Sequence, residues 1–365
     1  MNVLHFCSYY VGSKVYFELF NSIANTCDQH VYVPVRSDEH LSTRQVSGVE
    51  FYFIKNLNIF TRFFFLLKFM LVVRAALEKY PKNNIDIIHA HTLYADGIPA
   101  FIFSKVRRKK LIIAIRNTDV NLGFKYYRHY KWLARSALTY SSKIIFISPA
   151  HKVRFQDYFG HCFDDKLFVI PNGIDGFYIN NAKQCKVGGS EKKIALHVAA
   201  IDKNKNLKKT ILAFFIAAKK HEHAEFRVAG GTYTEYQNVF GDLPEHLKDK
   251  VVFLGKLDKE QLVEHMSQSS VFIMASLKET FGLVYVEAIS QCLPIVYTCG
   301  QGVDGYFNDG QYGFKADSHS IESISTAIKN TLNKFPNGLG PFENNPAINF
   351  SWDKIAKTYK ERVYK

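Results

Sequence analysis

The sequence predicts an α/β protein of two doubly wound parallel-sheet domains facing a central cleft. Three observations predict it. Short β-rich runs alternate with helical stretches along the chain. Most of those runs are continuously apolar, as strands covered by helices on both faces are. They are also too numerous for one sheet, and 365 residues suggest about two domains.

The strand runs are 3–8, 30–35, 49–54, 85–90, 110–115 and 143–148, then 166–171, 194–199, 225–230, 251–255, 271–276 and 293–298. Helical stretches near 14–29, 60–80, 124–140, 206–221, 259–269, 282–291 and 319–334 separate many of them. The N-terminus, MNVLHFCSYY, lacks the basic start and small-residue cleavage site of a signal peptide and reads as a first strand. The polar stretch 180–193, with Val187-Gly188-Gly189-Ser190, reads as a linker, giving domains 1–180 and 181–349.

Segment 60–77 is the most apolar, yet Arg62, Lys68 and Arg74 interrupt it. It falls short of the roughly 18 unbroken apolar residues of a membrane span. It reads either as a mostly buried helix with snorkelling basic ends or as a membrane-surface element.

Composition excludes several classes. With 47% hydrophobic and 15% aromatic residues the chain can bury large cores, which excludes disorder. Six cysteines lie scattered without a C-x-x-C pair, suiting a reducing cytoplasm better than a disulfide scaffold. Net charge is +14, concentrated in residues 1–180, where 23 Lys and Arg face 13 Asp and Glu. That half expects an anionic partner: lipid headgroups, a phosphorylated acceptor or nucleic acid. No RNP, helix-turn-helix or zinc pattern is present, so nucleic acid is not the expected partner.

Residues 124–138, FKYYRHYKWLARSAL, divide on a helical wheel. Tyr126, Tyr127, Tyr130, Leu133, Ala134, Ala137 and Leu138 fill one arc; Lys125, Arg128, His129, Lys131, Trp132 and Arg135 fill the other. The basic arc is either a solvated face or a dock for anionic lipid.

The stretch 279–296, ETFGLVYVEAISQCLPIV, carries the chemistry. With 271–276 a strand, Glu279 lies in the loop above its carboxyl end, Gly282 opens a helix, and Glu287 sits about one and a half turns in. An N-terminus with glycine presents free N–H groups to an anion. Two carboxylates there can take vicinal hydroxyls at two ends of one ligand; at this spacing alone they read first as two solvated or capping glutamates, and the surrounding residues change that.

Residues 279–290, followed by Cys292-Leu-Pro294, resemble the E-x7-E signature of the retaining glycosyltransferases of family 4, the group 1 domain on the GT-B fold. Val252-Phe-Leu-Gly255-Lys256 resembles that family's base-binding turn, and Pro171-Asn172-Gly-Ile-Asp175 its interdomain motif. Gly300-Gln-Gly-Val-Asp-Gly305 resembles its second glycine loop. His89-Ala-His91 and Arg116-Asn-Thr-Asp119 stand where the family has H-x-H and H-G-x-D, and Phe350-Ser-Trp352 precedes a terminal helix, 350–365, that in this fold crosses back to the first domain.

The resemblance implies a sugar-nucleotide donor, a UDP-sugar being expected, and no cofactor or metal; no D-x-D doublet is present. Glu287 would bind the ribose, Glu279 the donor sugar, Lys205 the phosphates, and N–H groups around Phe281, Gly282 and Leu283 the diphosphate or the sugar. Gly255, Lys256, Gly12 and Asn172 would complete donor binding. His91 and Asp119 would join Glu279 and Lys205 in catalysis, although His91 is equally read as a histidine bonded beneath its loop. Arg116 faces an anionic acceptor or donor phosphate, or pairs with a neighbouring acid. The implied activity is metal-independent transfer to a lipid-linked or oligosaccharide acceptor at the inner face of the cytoplasmic membrane, in capsule or lipopolysaccharide synthesis. Two departures, Ala199-Ala200 for the family's Gly-Arg and the single Gly12, point instead to a non-catalytic subunit of the same fold.

Overall fold

The structure is a computed structural model and describes residues 1–35, 37, 44–55, 64–80, 84–182, 192–340 and 342–365. Residues 60–63 of the apolar segment and 187–190 of the expected linker lie outside the described residues. The chain divides into two compact units: Met1–Gly173 with Trp352–Lys365, and Ile174–Ser351.

Among the described residues the first unit holds a seven-stranded parallel sheet. Its strands are β1 (Asn2–Phe6), β2 (Asp28–Val35), β3 (Glu50–Lys55), β4 (Ile87–Ala90), β5 (Lys110–Ile115), β6 (Lys143–Phe146) and β7 (Leu167–Val169). The order β3-β2-β1-β4-β5-β6-β7 reverses at β1 and β4. Alternate residues explain the continuously apolar strands. Leu111, Ile113 and Ile115 enter one core cluster, while Ile112 and Ala114 enter the other. Helices α1 (Lys14–Ile23), α2 (Phe65–Lys79), α3 (Ile98–Arg107), α4 (Lys131–Tyr140) and α5 (Pro149–Phe159) accompany this sheet. The terminal segment belongs to this unit, with Ile355, Tyr359, Val363 and Tyr364 in the second cluster.

In the second unit β8 (Ile194–Val198), β9 (Glu225–Ala229), β10 (Val251–Gly255), β11 (Val271–Ile273), β12 (Ile295–Thr298) and β13 (Gly313–Ala316) follow the order β10-β9-β8-β11-β12-β13. Besides a short helix at Gly176–Asn180, its helices are α6 (Leu207–Ala217), α7 (Tyr233–Phe240), α8 (Lys259–Gln268), α9 (Leu283–Ser290) and α10 (Ile321–Lys334). Parallel order reverses at β8 and β11, and ligands of such sheets bind at the carboxyl ends beside that reversal.

All the expected strands form; most are shorter than expected, β5 and β10 keep their expected bounds, and β2 begins earlier, at Asp28. Cys7, Cys27, Cys162 and Cys299 carry free thiols. Cys292 is disulfide-bonded, which departs from the expected reduced cysteines.

The region 124–140 departs from the single helix expected of it. Short helical turns at Phe124–Tyr126 and Arg128–Tyr130 precede α4, because Tyr127 and Tyr130 leave helical backbone angles. One wheel therefore does not describe it, and Tyr126, on the arc opposite the basic one, is 60% exposed. No helix of the described residues is long and apolar enough to cross a membrane. On α2, Phe69, Val72 and Ala76 are buried while Leu66, Leu67 and Met70 face solvent. That helix is one-sided, not mostly buried.

Candidate functional site

In the second unit the loop after β8 and the loop after β11 are stitched together. Leu277 N–H donates to Asn204 O at 2.8 Å, Asn204 Nδ2 donates to Lys278 O at 2.9 Å, and Lys278 N–H donates to Asn204 Oδ1 at 3.0 Å. Asp202 accepts the N–H of Lys205 and holds that turn. The stitching brings Lys205 Nζ to 2.8 Å from Glu279 Oε2. Glu279 is 8% exposed, and its Oε1 accepts the N–H of Thr280. This nearly buried carboxylate has a cation and an N–H as partners, as a charge removed from water requires.

Two glycines let the backbone close on that carboxylate. Gly282 has φ +78°, and a Cβ there would lie 2.4 Å from the Tyr285 ring. At Gly302, φ +54°, a Cβ would meet Phe281 O at 2.9 Å and Glu279 Cγ at 3.0 Å. Gly282 is also the N-cap of α9 and offers no side chain to cap it. The N–H groups of Leu283 and Val284 are thus presented beside Glu279, while that of Tyr285 bonds Gly282 O, an anion-binding arrangement. Phe281 is buried, and Leu283 and Glu287 are half-buried on the same short segment. Gly255 ends β10 with φ +68°, its carbonyl accepting from Gly230, and Lys256 beyond it is exposed. The arrangement offers a cation, a carboxylate and an uncapped helix start, the groups needed to hold a phosphorylated sugar.

In the first unit the loops after β1, β4 and β5 converge. Asp119 is buried and accepts three backbone N–H groups, from Leu93, Tyr94 and Arg116. Burial pushes its carboxyl up to about 6. Its oxygens are thereby committed to joining two loops, a holding role that the expectation of catalysis did not include. His91 is fully buried, its Nε2 3.1 Å from His5 Nδ1 and its ring stacked on His89. Of the two readings of His91, the histidine beneath its loop matches this placement. His89 Nδ1 lies 2.9 Å from the Tyr364 hydroxyl. The three imidazoles offer ligand atoms within 4.8 Å of one another. Burial holds all three well below the ordinary range, His5 at about 3.

Arg116, first residue after β5, donates from Nη1 to Asn172 Oδ1 at 3.1 Å and lies over the Tyr16 ring at 5.3 Å. The sequence reading missed Tyr16 and Asp96. Asp96 accepts from Ser8 and Thr92, fixing the loop after β1, and Gly12, with φ +74°, is exposed at that loop's end. Tyr16 on α1 and Asp96 in the turn after β4 belong to no motif, so neither gave a signal.

The basic arc divides. Lys125, Arg128 and Trp132 are exposed, Trp132 at 66%. Lys131 instead donates to Tyr158 O at 2.6 Å, and Arg135 to Phe159 O at 3.3 Å. These cations satisfy carbonyls at the C-terminus of α5, where the helix dipole favours positive charge. Lys131 is half-buried, and Arg135, though exposed, spends its charge on that carbonyl, so both serve the fold and the lipid-facing arc is not continuous.

Comparison with known proteins agrees with both units. Residues 181–336 match the glycosyl transferases group 1, and residues 14–176 match Glycosyltransferase Family 4. The chain is 24% identical over 326 residues to the alpha-monoglucosyldiacylglycerol synthase of Acholeplasma laidlawii, covering 81% of this chain and 77% of that one. In fold it is similar to Anabaena HepE in complex with UDP, with TM-score 0.71, 18% identity and 99% of each chain covered. It is similar also to sucrose-phosphate synthase from Thermosynechococcus elongatus, with TM-score 0.74, 16% identity and coverage of 98% and 97%.

Proposed function

The chain belongs to the family 4 glycosyltransferases, with a group 1 domain and the GT-B fold, and from this premise we propose a retaining transferase that moves a sugar from a UDP-sugar to a lipid-linked saccharide in cell-surface polysaccharide synthesis. The observation that carries the reading is the Lys205–Glu279 pair beside the uncapped start of α9. The diphosphate would lie on those N–H groups and Lys205, Glu287 would take the ribose hydroxyls, and Glu279 the sugar. As the bond from the anomeric carbon to the phosphate oxygen breaks, Lys205 would neutralise the charge gathering on the diphosphate without a metal. Glu279 already accepts from Lys205 and Thr280, which suits charge stabilisation better than nucleophilic attack. Same-face transfer fits that assignment: the acceptor oxygen bonds the anomeric carbon while its proton passes to the leaving phosphate.

A membrane-surface acceptor is supported by exposed Lys125, Arg128 and Trp132, by the one-sided α2 and by the name of the Acholeplasma relative, a diacylglycerol glycolipid synthase. The reading places the enzyme peripherally on the inner face of the cytoplasmic membrane. Incubating the pure protein with UDP-, GDP- and ADP-sugars tests it. Release of nucleotide from a UDP-sugar, with the anomeric configuration kept in the product by NMR, is expected. No release from any donor would leave the second reading, a non-catalytic subunit, which Ala200 in place of the family's arginine favours.

A further inference from the structure

We infer that the first unit holds a site for a substrate oxyanion, a phosphate or carboxylate, built on Arg116. Calling the anion a substrate's rests on the transferase reading; the site itself does not.

Arg116 is 8% exposed, and among the described residues no carboxylate lies within ion-pair distance of it. Two acids stand nearby, but both are committed elsewhere. Asp119 accepts backbone N–H groups, including that of Arg116, and Asp96 accepts from Ser8 and Thr92. The other groups that feel the guanidinium charge are Cys7, Tyr16, His89, His91 and Tyr359. Burial keeps each of them neutral, lowering the histidines and raising the tyrosines and the thiol.

A guanidinium cannot relieve burial by losing its proton. An uncompensated cation in such surroundings is costly unless an anion joins it. Its hydrogen bonds are also incomplete. Nη1 is held by Asn172, while Nε is buried with no partner. The planar fork is thus fixed by one amide and one ring, with donors left for a bidentate oxyanion. The position fits, since Arg116 follows β5 at the carboxyl edge of the sheet, where ligands of doubly wound sheets bind. Of the two sequence readings, pairing with a neighbouring acid is not seen among the described residues.

Inorganic phosphate is the probe. Calorimetry on wild type, R116Q and R116K should show phosphate binding to wild type and affinity about tenfold or more weaker in R116Q. Phosphate should raise the melting temperature of wild type but not of R116Q. In phosphate-free buffer R116Q should melt no lower than wild type, because it lacks the uncompensated charge. Wild-type affinity in R116Q, or a lower melting temperature without phosphate, would overturn the site. If R116Q does not fold, R116K decides, since it keeps charge without the fork: equal affinity to wild type overturns the site.

Two arms separate the sources. Phosphate that still binds the UDP-saturated protein marks an acceptor anion; phosphate displaced by UDP, with R116Q weakening UDP but not uridine, marks the donor. A wild type that binds phosphate at Arg116 but no nucleotide would sink the transferase reading and leave the anion site standing.

Discussion

Lys205 and Glu279 lie 74 residues apart in sequence and 2.8 Å apart in space, an ion pair only partly open to solvent. Before a donor arrives, each neutralises the other. On the proposed reading an incoming diphosphate would compete with Glu279 for the ammonium, so donor binding and charge neutralisation would share one lysine. Discarding either partner strands the other in a low-dielectric pocket.

The first prediction follows. Lys205→Ala should lower kcat by roughly 100-fold or more, the scale for removing one group that stabilises developing negative charge. Glu279→Gln keeps the shape but not the charge, and should slow transfer more than it weakens UDP binding. Steady-state transfer and calorimetry on both variants check this; wild-type rates in both would remove the pair from the reaction.

Glu287 supplies a second test. It stands half-buried on α9, within the segment whose first turn is presented to an anion. If it accepts from ribose hydroxyls, Glu287→Ala should weaken UDP binding by roughly 1.5–3 kcal/mol. Equal calorimetric affinity in a folded variant would place the ribose elsewhere.

What the sequence made legible was whatever a local run encodes. Apolar strands and the Glu279–Gly282 turn carry their signal within a few residues. β13 does not: Gly-Phe-Lys-Ala is a short edge strand whose glycine, at φ +146°, packs against Ile295 O. Helices α3, α5 and α7 went unassigned. The 124–138 arc failed for the opposite reason, since the wheel assumed continuity that Tyr127 and Tyr130 break. Partners remote in sequence were invisible. Nothing local tells that Lys131 reaches the carbonyl of Tyr158, or that Asn204 sews the Lys205 turn to the Glu279 loop.

Acid should destabilise the fold through the histidine cluster. Unfolded, His5, His89 and His91 take up protons as pH falls through their ordinary 6.5; folded, His5 does so only at about 3, and the others stay well below 6.5. In that window the unfolded chain binds more protons, so stability falls with pH by up to roughly 1.4 kcal/mol per unit per histidine. Asp119 opposes this. Its folded value of about 6 exceeds the ordinary 3.8, so between those values it favours the folded chain as pH falls. Buried Asp96, its carboxyl also raised by burial, opposes it too, while buried His197, lowered to about 4, adds to the histidine effect, so four histidines outweigh two aspartates. The melting temperature should drop between pH 7 and 5, and less steeply in His89→Gln, which keeps an acceptor for Tyr364. A flat profile over that range in wild type would contradict the buried neutral cluster.

The membrane prediction separates residues that sequence grouped together. Lys125 and Arg128 are exposed beside Tyr126 and Trp132, a basic and aromatic surface suited to anionic headgroups. At about 1 kcal/mol per cation near the surface, replacing both with glutamine should weaken binding to anionic vesicles by roughly 2 kcal/mol. Salt should weaken wild-type binding through the same charges. Lys131 and Arg135 behave differently because their charges meet the carbonyls of Tyr158 and Phe159. Their glutamine variants should lower the melting temperature and leave vesicle binding of the folded protein nearly unchanged. Transfer to a short soluble acceptor should persist in Lys125→Gln/Arg128→Gln while transfer to a lipid-linked one falls. Equal vesicle sedimentation of that double variant and wild type would exclude this face. The apolar side of α2, with Leu66 and Met70 in solvent, would then be the surface to change next, by glutamine at both positions.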